Sequence, residues 1–447
     1  MHVAGDAPQF RVCVYHCADG LLPVFSSDWL AATAAPAGRA DANWDWPAYH
    51  IKLPRALPSG VYIAHLDTLG GAPVHLALDQ AAVLFVVRGP GLHKLLYKIP
   101  LATYNAYNFS GGACFYANPP RSIDPPGACL SFLRPGCGIG GPTFGAPDHY
   151  DLSSPRQTFA HWDARFIAWL VRNGYQGEFC TDLDIDNDPG LCHSYRLLLS
   201  VGHDEYWSEG MRDGVENFIA RGGNAAFFSA NLCWWRIHLV NDRAAMVCHQ
   251  GGPHGARDHW WSASGAGRPE DSMAGVSYRH GGGWWDGPRS NGGYLVQIAD
   301  HCLFQGTGLS NGSAFGAHTT PPLVGYECDG APLQRLGGDA NRLGLMKDAA
   351  DCGTPVNFQV LAACPLSEQW QERPARETGA GALHAATMGI MEGPGKVFTA
   401  GTTDWAQVLG TGQEPCVDTI TRNVLQTMLN VPRPCRSTTG TLLERPA

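Results

Sequence analysis

Two short segments carry the residue types that do chemistry. The run Leu197-Leu-Leu-Ser-Val-Gly-His-Asp-Glu-Tyr-Trp-Ser208 ends an apolar stretch in an imidazole and two carboxylates. If the backbone stays extended there, His203 and Glu205 project to one side and Asp204 to the other. An imidazole and a carboxylate then share one crevice, where they can bind a metal or move protons. The competing reading has Asp204 or Ser208 capping the next helix, with the other side chains solvated. The second segment is Thr103-Tyr104-Asn-Ala-Tyr107-Asn108. Taken singly, its phenols read as amphipathic core residues with one hydrogen bond each. Tyr62, within Pro58-Ser-Gly-Val-Tyr62, lies in an alternating strand, where the core reading is stronger still.

The elements around these segments place them. Residues 8–90 read as β-structure, with Phe10, Val12 and Val14 alternating with Arg11, Cys13 and Tyr15 in a period of two. Residues 82–87 form an apolar run that suits a buried strand. This region is expected to be a small antiparallel sandwich or a sheet extension. From about residue 95 strands and helices alternate. A helical stripe at Phe166, Ile167, Leu170 and Val171 ends at Asn173-Gly174. A strand over 195–201 is followed by a helix marked by Met211, Val215, Phe218 and Ile219, then by a strand over 224–230. Val397 to Ala400 reads as another strand and 417–429 as a last helix. This order predicts a parallel, three-layered α/β core. Ligands in such sheets collect at the carboxyl ends of strands, which is where His203-Asp204-Glu205 falls. The expected division is a β-rich domain over 1–92, an α/β domain over 93–432 and a tail over 433–447.

Read together, Gly202-His-Asp-Glu-Tyr-Trp-Ser208, Thr103-Tyr-Asn-Ala-Tyr-Asn108, Pro58-Ser-Gly-Val-Tyr62 and Ala400-Gly-Thr-Thr-Asp-Trp405 resemble the catalytic region of the N,N-dimethylformamidase large (beta) subunit family. The resemblance extends over about residues 10–430. It implies a glutamine-amidotransferase-like α/β core beside a β-domain, and a mononuclear ferric ion held by two tyrosinates and a glutamate. Carried over, the ligands are Tyr62, Tyr107 and Glu205, with Tyr104 as the alternative to Tyr107. Three hard oxygen donors suit Fe(3+) and leave room for water and substrate. His203 becomes a proton carrier beside the metal, Asn231 a holder of the substrate carbonyl or attacking water, and Glu327 a general base. The implied activity is hydrolysis of the C–N bond of small linear amides. A non-catalytic binding protein on this fold and a metal enzyme of another reaction class stay open beside it. The chain departs from the family at Cys248-His249-Gln250, where relatives commonly carry Cys-Tyr-Lys.

Composition narrows the field. A net charge of −9, with no basic block, excludes non-specific binding to nucleic acid or anionic membrane. No apolar run approaches the ~20 residues of a membrane span, and no leader is recognisable, so a cytoplasmic protein is expected. Besides substrate, further copies of the chain are the expected partners. The 15 cysteines are scattered without a CxxC pair and read as buried thiols. The Gly136–Gly141 run matches GxGxxG but follows Arg-Pro and precedes Pro142, so a glycine-rich loop is expected there and no dinucleotide site. Asp182, Asp184, Asp186 and Asp188 lack the Gly and Glu of a calcium loop and read as a solvated acidic segment. The histidines and tryptophans from His249 to Trp285 read equally as a substrate entrance or as packing.

Overall fold

The computed structural model describes residues 1–71, 73–76, 81–121, 127–139, 142–145, 147–251, 257–289, 293–337, 339–373 and 382–429. The expected tail over 433–447, and Gly140 and Gly141 of the glycine-rich run, lie outside them.

Strands Gln9–Ala18, Gly20–Ser26, Gly60–Asp67 and Ala82–Val87, with the short Leu30–Ala31, form one antiparallel sheet. Among the described residues, a single antiparallel sheet thus stands where a small sandwich or a sheet extension was expected. Strand alternation gives it two working faces. Val61 and Ile63 pack into the main core. Tyr62 and Ala64, on the opposite face, pack with Phe10, Val12 and Val14 in a separate core closed by the loop residues Tyr49, Ile51 and Leu53.

The central sheet has nine strands. Glu178–Thr181, Leu95–Ile99, Leu197–His203, Asn224–Ala230 and Lys396–Thr399 run parallel in that spatial order. Ala385–Glu392, Phe358–Pro365, Tyr294–Val296 and Ala314–Phe315 continue it antiparallel. Leu197–His203 is buried along its whole length, as a strand covered on both faces must be. Leu197, Leu199 and Val201 pack under helices Asp163–Arg172 and Pro415–Leu429. Leu198, Ala225 and Phe227 pack on the other face under helix Glu209–Ala220, through Met211, Val215 and Phe218. Helices therefore cover both faces of a mixed α/β sheet, which has more antiparallel structure than the strand–helix alternation predicted. Glu178–Thr181 is an edge strand, and the N–H of Phe179 donates to Ser59 Oγ of the N-terminal sheet at 2.9 Å.

Candidate active site

The candidate site gathers at the carboxyl ends of three parallel strands, and each strand delivers its residue by a local device. Leu197–His203 ends beside Gly202, whose φ of +73° turns the chain, and a Cβ there would meet Trp162 at 2.7 Å. A larger residue would be both strained and blocked. Beyond His203 the side chains alternate as the extended reading required. Asp204 turns inward, where its Oδ2 meets Lys98 Nζ and Ser200 Oγ, each at 2.5 Å, and its Oδ1 accepts from Trp207 Nε1 at 2.9 Å. It anchors the turn. Ser208 does cap the following helix, its Oγ accepting from Met211 N–H at 3.1 Å. The capping alternative therefore holds for Ser208, while His203 and Glu205 are both buried and neither is solvated.

Helix Leu101–Tyr107 follows the neighbouring strand and carries Thr103 and Tyr107 one turn apart, so both face the same way. Thr103 Oγ1 accepts from the N–H groups of Glu205 and Tyr206, at 2.9 and 3.3 Å. Tyr107 Oη donates to Glu205 Oε2 at 2.9 Å. A second phenol, Tyr116, donates to Glu205 Oε1 at 2.7 Å and lies 3.1 Å from Tyr107 Oη. Tyr206 donates to Tyr116 at 2.6 Å and accepts from Gln250 Nε2 at 2.7 Å. Around one buried carboxylate the structure thus places three phenols and an amide.

On the far side of Glu205 stands the imidazole. His203 Nε2 is 3.5 Å from Glu205 Oε2 and 2.7 Å from Glu327 Oε2. Its Nδ1 lies 2.7 Å from Gln157 Oε1, which fixes the ring. Asn231 directly follows Asn224–Ala230 with a φ of 49°, and its backbone N–H donates to Asp329 Oδ1 at 2.8 Å. Its Nδ2 donates to Glu327 Oε2 at 3.1 Å, while the buried Oδ1 has no hydrogen-bond partner among the described residues. A buried amide oxygen left unmatched in this way suits a ligand that brings its own donor.

The electrostatics split the two carboxylates. Burial raises Glu205 to about 7, against the opposing pull of His203 and the tyrosine hydroxyls. Burial also works to raise Glu327, but His203 outweighs it and holds that carboxyl below its ordinary value. The same contact raises His203 although burial opposes its charge. The ion pair is His203 with Glu327, and Glu205 is the acid whose charge lacks a full partner. Burial, then Glu205, pushes the Tyr107 phenol well above its ordinary value, and partial burial, then the charge of Glu205, likewise raises the partly exposed Tyr116, so both are neutral donors in the absence of a cation. A bound cation would reverse that ordering and ionise all three.

Residues 20–418 match the family described as N,N-dimethylformamidase beta subunit-like, C-terminal. The chain belongs to that family. Among curated proteins, the N,N-dimethylformamidase beta subunits of an Alcaligenes species and of Paracoccus aminophilus are each 32% identical to it over 79 residues, 17% of this chain. The chain spans a tenth of the length of those relatives, 10% of each.

Within the dimethylformamidase-like frame, the predicted residues divide. His203, Glu205, Tyr107, Asn231 and Glu327 come together. Tyr62 does not: its hydroxyl donates to Pro58 O at 2.8 Å, and its ring stacks on His16 and Phe85. Strand alternation puts it on the face of the N-terminal sheet turned away from the main core. Tyr104 also points elsewhere, donating to Asp163 Oδ2. The helix straddles two cores, Tyr104 in one and Tyr107 in the other. The phenol that sequence reasoning missed is Tyr116, in the turn between Cys114 and Ala117, which pair as an isolated bridge. Gly111 and Gly112, at φ of +85° and +77°, reverse the chain and return it to Tyr107. That glycine pair, with a tyrosine four residues beyond, was the available signal. Among the described residues no helix is long and apolar enough to cross a membrane, and 13 cysteines are free, most of them buried, as the scattered spacing predicts.

Proposed function

We propose that this chain hydrolyses small linear amides of the formamide type on a mononuclear ferric centre held by Tyr107, Tyr116 and Glu205, with the glutamine-amidotransferase-like core as its frame. The observation that carries the reading is the convergence of two phenols on the two oxygens of one buried carboxylate, with His203 Nε2 2.7 Å from Glu327 beside it. The donor set fits: three hard oxygens match a hard trivalent ion and leave positions for water and substrate.

When bound, the ion supplies Lewis-acid polarisation of the amide carbonyl and a lowered pKa for water. The remaining work belongs to the side chains. Glu327 takes the proton lost by the attacking water, His203 Nε2 gives its own proton to the departing amine nitrogen, and Glu327 then restores the proton of His203 across their contact. Gln157 keeps His203 in the orientation that aims Nε2 at both carboxylates. Asn231 presents its free Oδ1 to a donor on substrate or water, and Glu327 holds its Nδ2 in place. Because the relatives are named beta subunits, we also infer that the chain works in an assembly with further subunits.

The test joins metal analysis and visible absorption to release of ammonia, methylamine or dimethylamine from formamide, N-methylformamide and N,N-dimethylformamide respectively. A coloured, iron-containing protein that liberates amine from at least one of them is expected. A folded protein that takes up no ferric ion and releases no amine sinks the reading.

A further inference from the structure

A second cluster of metal-ligating side chains lies outside the hydrolytic site, on the hairpin next to it. Strands Trp235–Val240 and Ala245–Cys248 pair antiparallel, with His238 opposite Val247. His249 is two residues beyond Val247, so strand alternation puts it on the same face as His238. Asp258 comes from a third segment whose backbone is pinned to both strands. Its N–H donates to the carbonyl of His249 at 2.8 Å, and its own carbonyl accepts from the N–H of Arg236 at 2.6 Å.

The side chains converge on the carboxylate. His238 Nε2 is 3.1 and 3.2 Å from the two oxygens of Asp258, and His249 Nδ1 is 2.6 Å from Oδ2. One donor atom from each residue lies within 4.8 Å of the others. Arg236 holds Oδ1 at 2.9 Å, and the His249 backbone N–H holds Oδ2 at 2.9 Å, so the carboxylate is fixed in orientation by groups that are not ligands. The side chains of His238, His249 and Asp258 are 36%, 19% and 5% exposed, which gives an approach from solvent above a buried carboxylate floor.

We propose that His238, His249 and Asp258 form a second metal site, which takes a divalent first-row transition ion of the Zn2+ class. Two imidazoles and a carboxylate suit such an ion, whereas the all-oxygen cluster around Glu205 suits a harder one. Three protein ligands leave a fourth position for water. The site borders the hydrolytic cluster without entering it. Gln250 follows His249 and donates to Tyr206, which reaches Glu205 through Tyr116. This inference does not depend on the amide-hydrolase reading, since the ligands are different residues and the probe is a different ion.

The test uses the full chain, stripped with a chelator and titrated with Zn2+ by calorimetry, and with Co2+ by its visible absorption. Wild type and Glu205→Gln should each bind a single equivalent at the hairpin. His238→Ala and His249→Ala should weaken that event by roughly 100-fold or more, beyond what the loss of a merely supporting group costs. Their unchanged circular dichroism melting in the absence of metal would show that the fold is intact. Absence of Zn2+ binding in the wild type overturns the proposal. So does binding that survives both histidine substitutions, or that disappears in Glu205→Gln while the histidine variants keep it.

Discussion

Among the described residues two carboxylates each receive two tyrosine hydroxyls, and they stand in different surroundings. Asp163 accepts from Tyr97 at 2.8 Å and from Tyr104, while Glu205 accepts from Tyr107 and Tyr116. Burial raises both acids to about 7. They differ in access and in neighbours. Tyr97, Tyr104 and Asp163 are at most 1% exposed, whereas Tyr116 is 39% exposed and opens its cluster to solvent. Glu205 also has an imidazole at 3.5 Å, and that imidazole already serves a second carboxylate. Two phenols and a raised carboxyl therefore make a sealed structural knot in one place and a candidate centre in the other. What separates them is a route in and a proton partner.

Several substitutions break or sharpen this contrast. The largest effect is expected from Glu205→Gln, which removes the shared oxygen donor. It should abolish ferric uptake and lower amide turnover by roughly a thousandfold or more, since Lewis-acid assistance is worth several kcal/mol. Iron content and amine release measured on the same preparation decide it, and a variant that keeps both would place the centre elsewhere. Next comes His203→Gln. If the imidazole moves protons, kcat should fall about 10²- to 10⁴-fold while iron and its absorption band remain. Loss of colour in that variant would instead make His203 a ligand.

Phenylalanine at each phenol divides the two carboxylate clusters directly. Tyr116→Phe should weaken ferric binding and shift the absorption band, with little change in melting. Tyr104→Phe should keep the band and lose on the order of 1–3 kcal/mol of stability, because Asp163 is left short of a donor. The reverse pattern would restore Tyr104 as a ligand.

The remaining test concerns pH. Folding raises Asp163 from its ordinary range to about 7, so the stability it contributes is full below pH ~4 and is lost as pH climbs toward 7. Asp163→Asn should remove that loss, flattening the decline by up to about 1.4 kcal/mol per pH unit across the window. Urea melts of wild type and variant from pH 4 to 8 measure the difference, and parallel curves would dismiss the raised carboxyl.

Part of this was legible from sequence and part was not. The strand over 224–230, the helix marked by Met211 and Val215 and the terminal helix carry strong local periodicity, and all three are present. The placement of His203 and Glu205 on one side, opposite Asp204, follows from strand alternation over three residues. Tyr62 failed for the same reason that it looked plausible. Alternation predicts which neighbours share a face, but which face meets the active site depends on how the N-terminal sheet docks, and no local pattern encodes that. Tyr116 was missed because it sits in a turn, where spacing carries no period and the Gly111-Gly112 pair alone marks the reversal. The antiparallel half of the central sheet was likewise hidden, since its strands are separated by long connections.

The link from Ser59 to Phe179 has a consequence for the open margin of the central sheet. Glu178–Thr181 ends the sheet, and an unpaired strand margin is a template on which other chains can add. By occupying one of its amide groups, and by packing Val61 and Ile63 into the common interior, the first 90 or so residues act as a built-in guard for that margin. A truncation beginning after Val87 would therefore be expected to self-associate before it lost any residue of the Glu205 cluster.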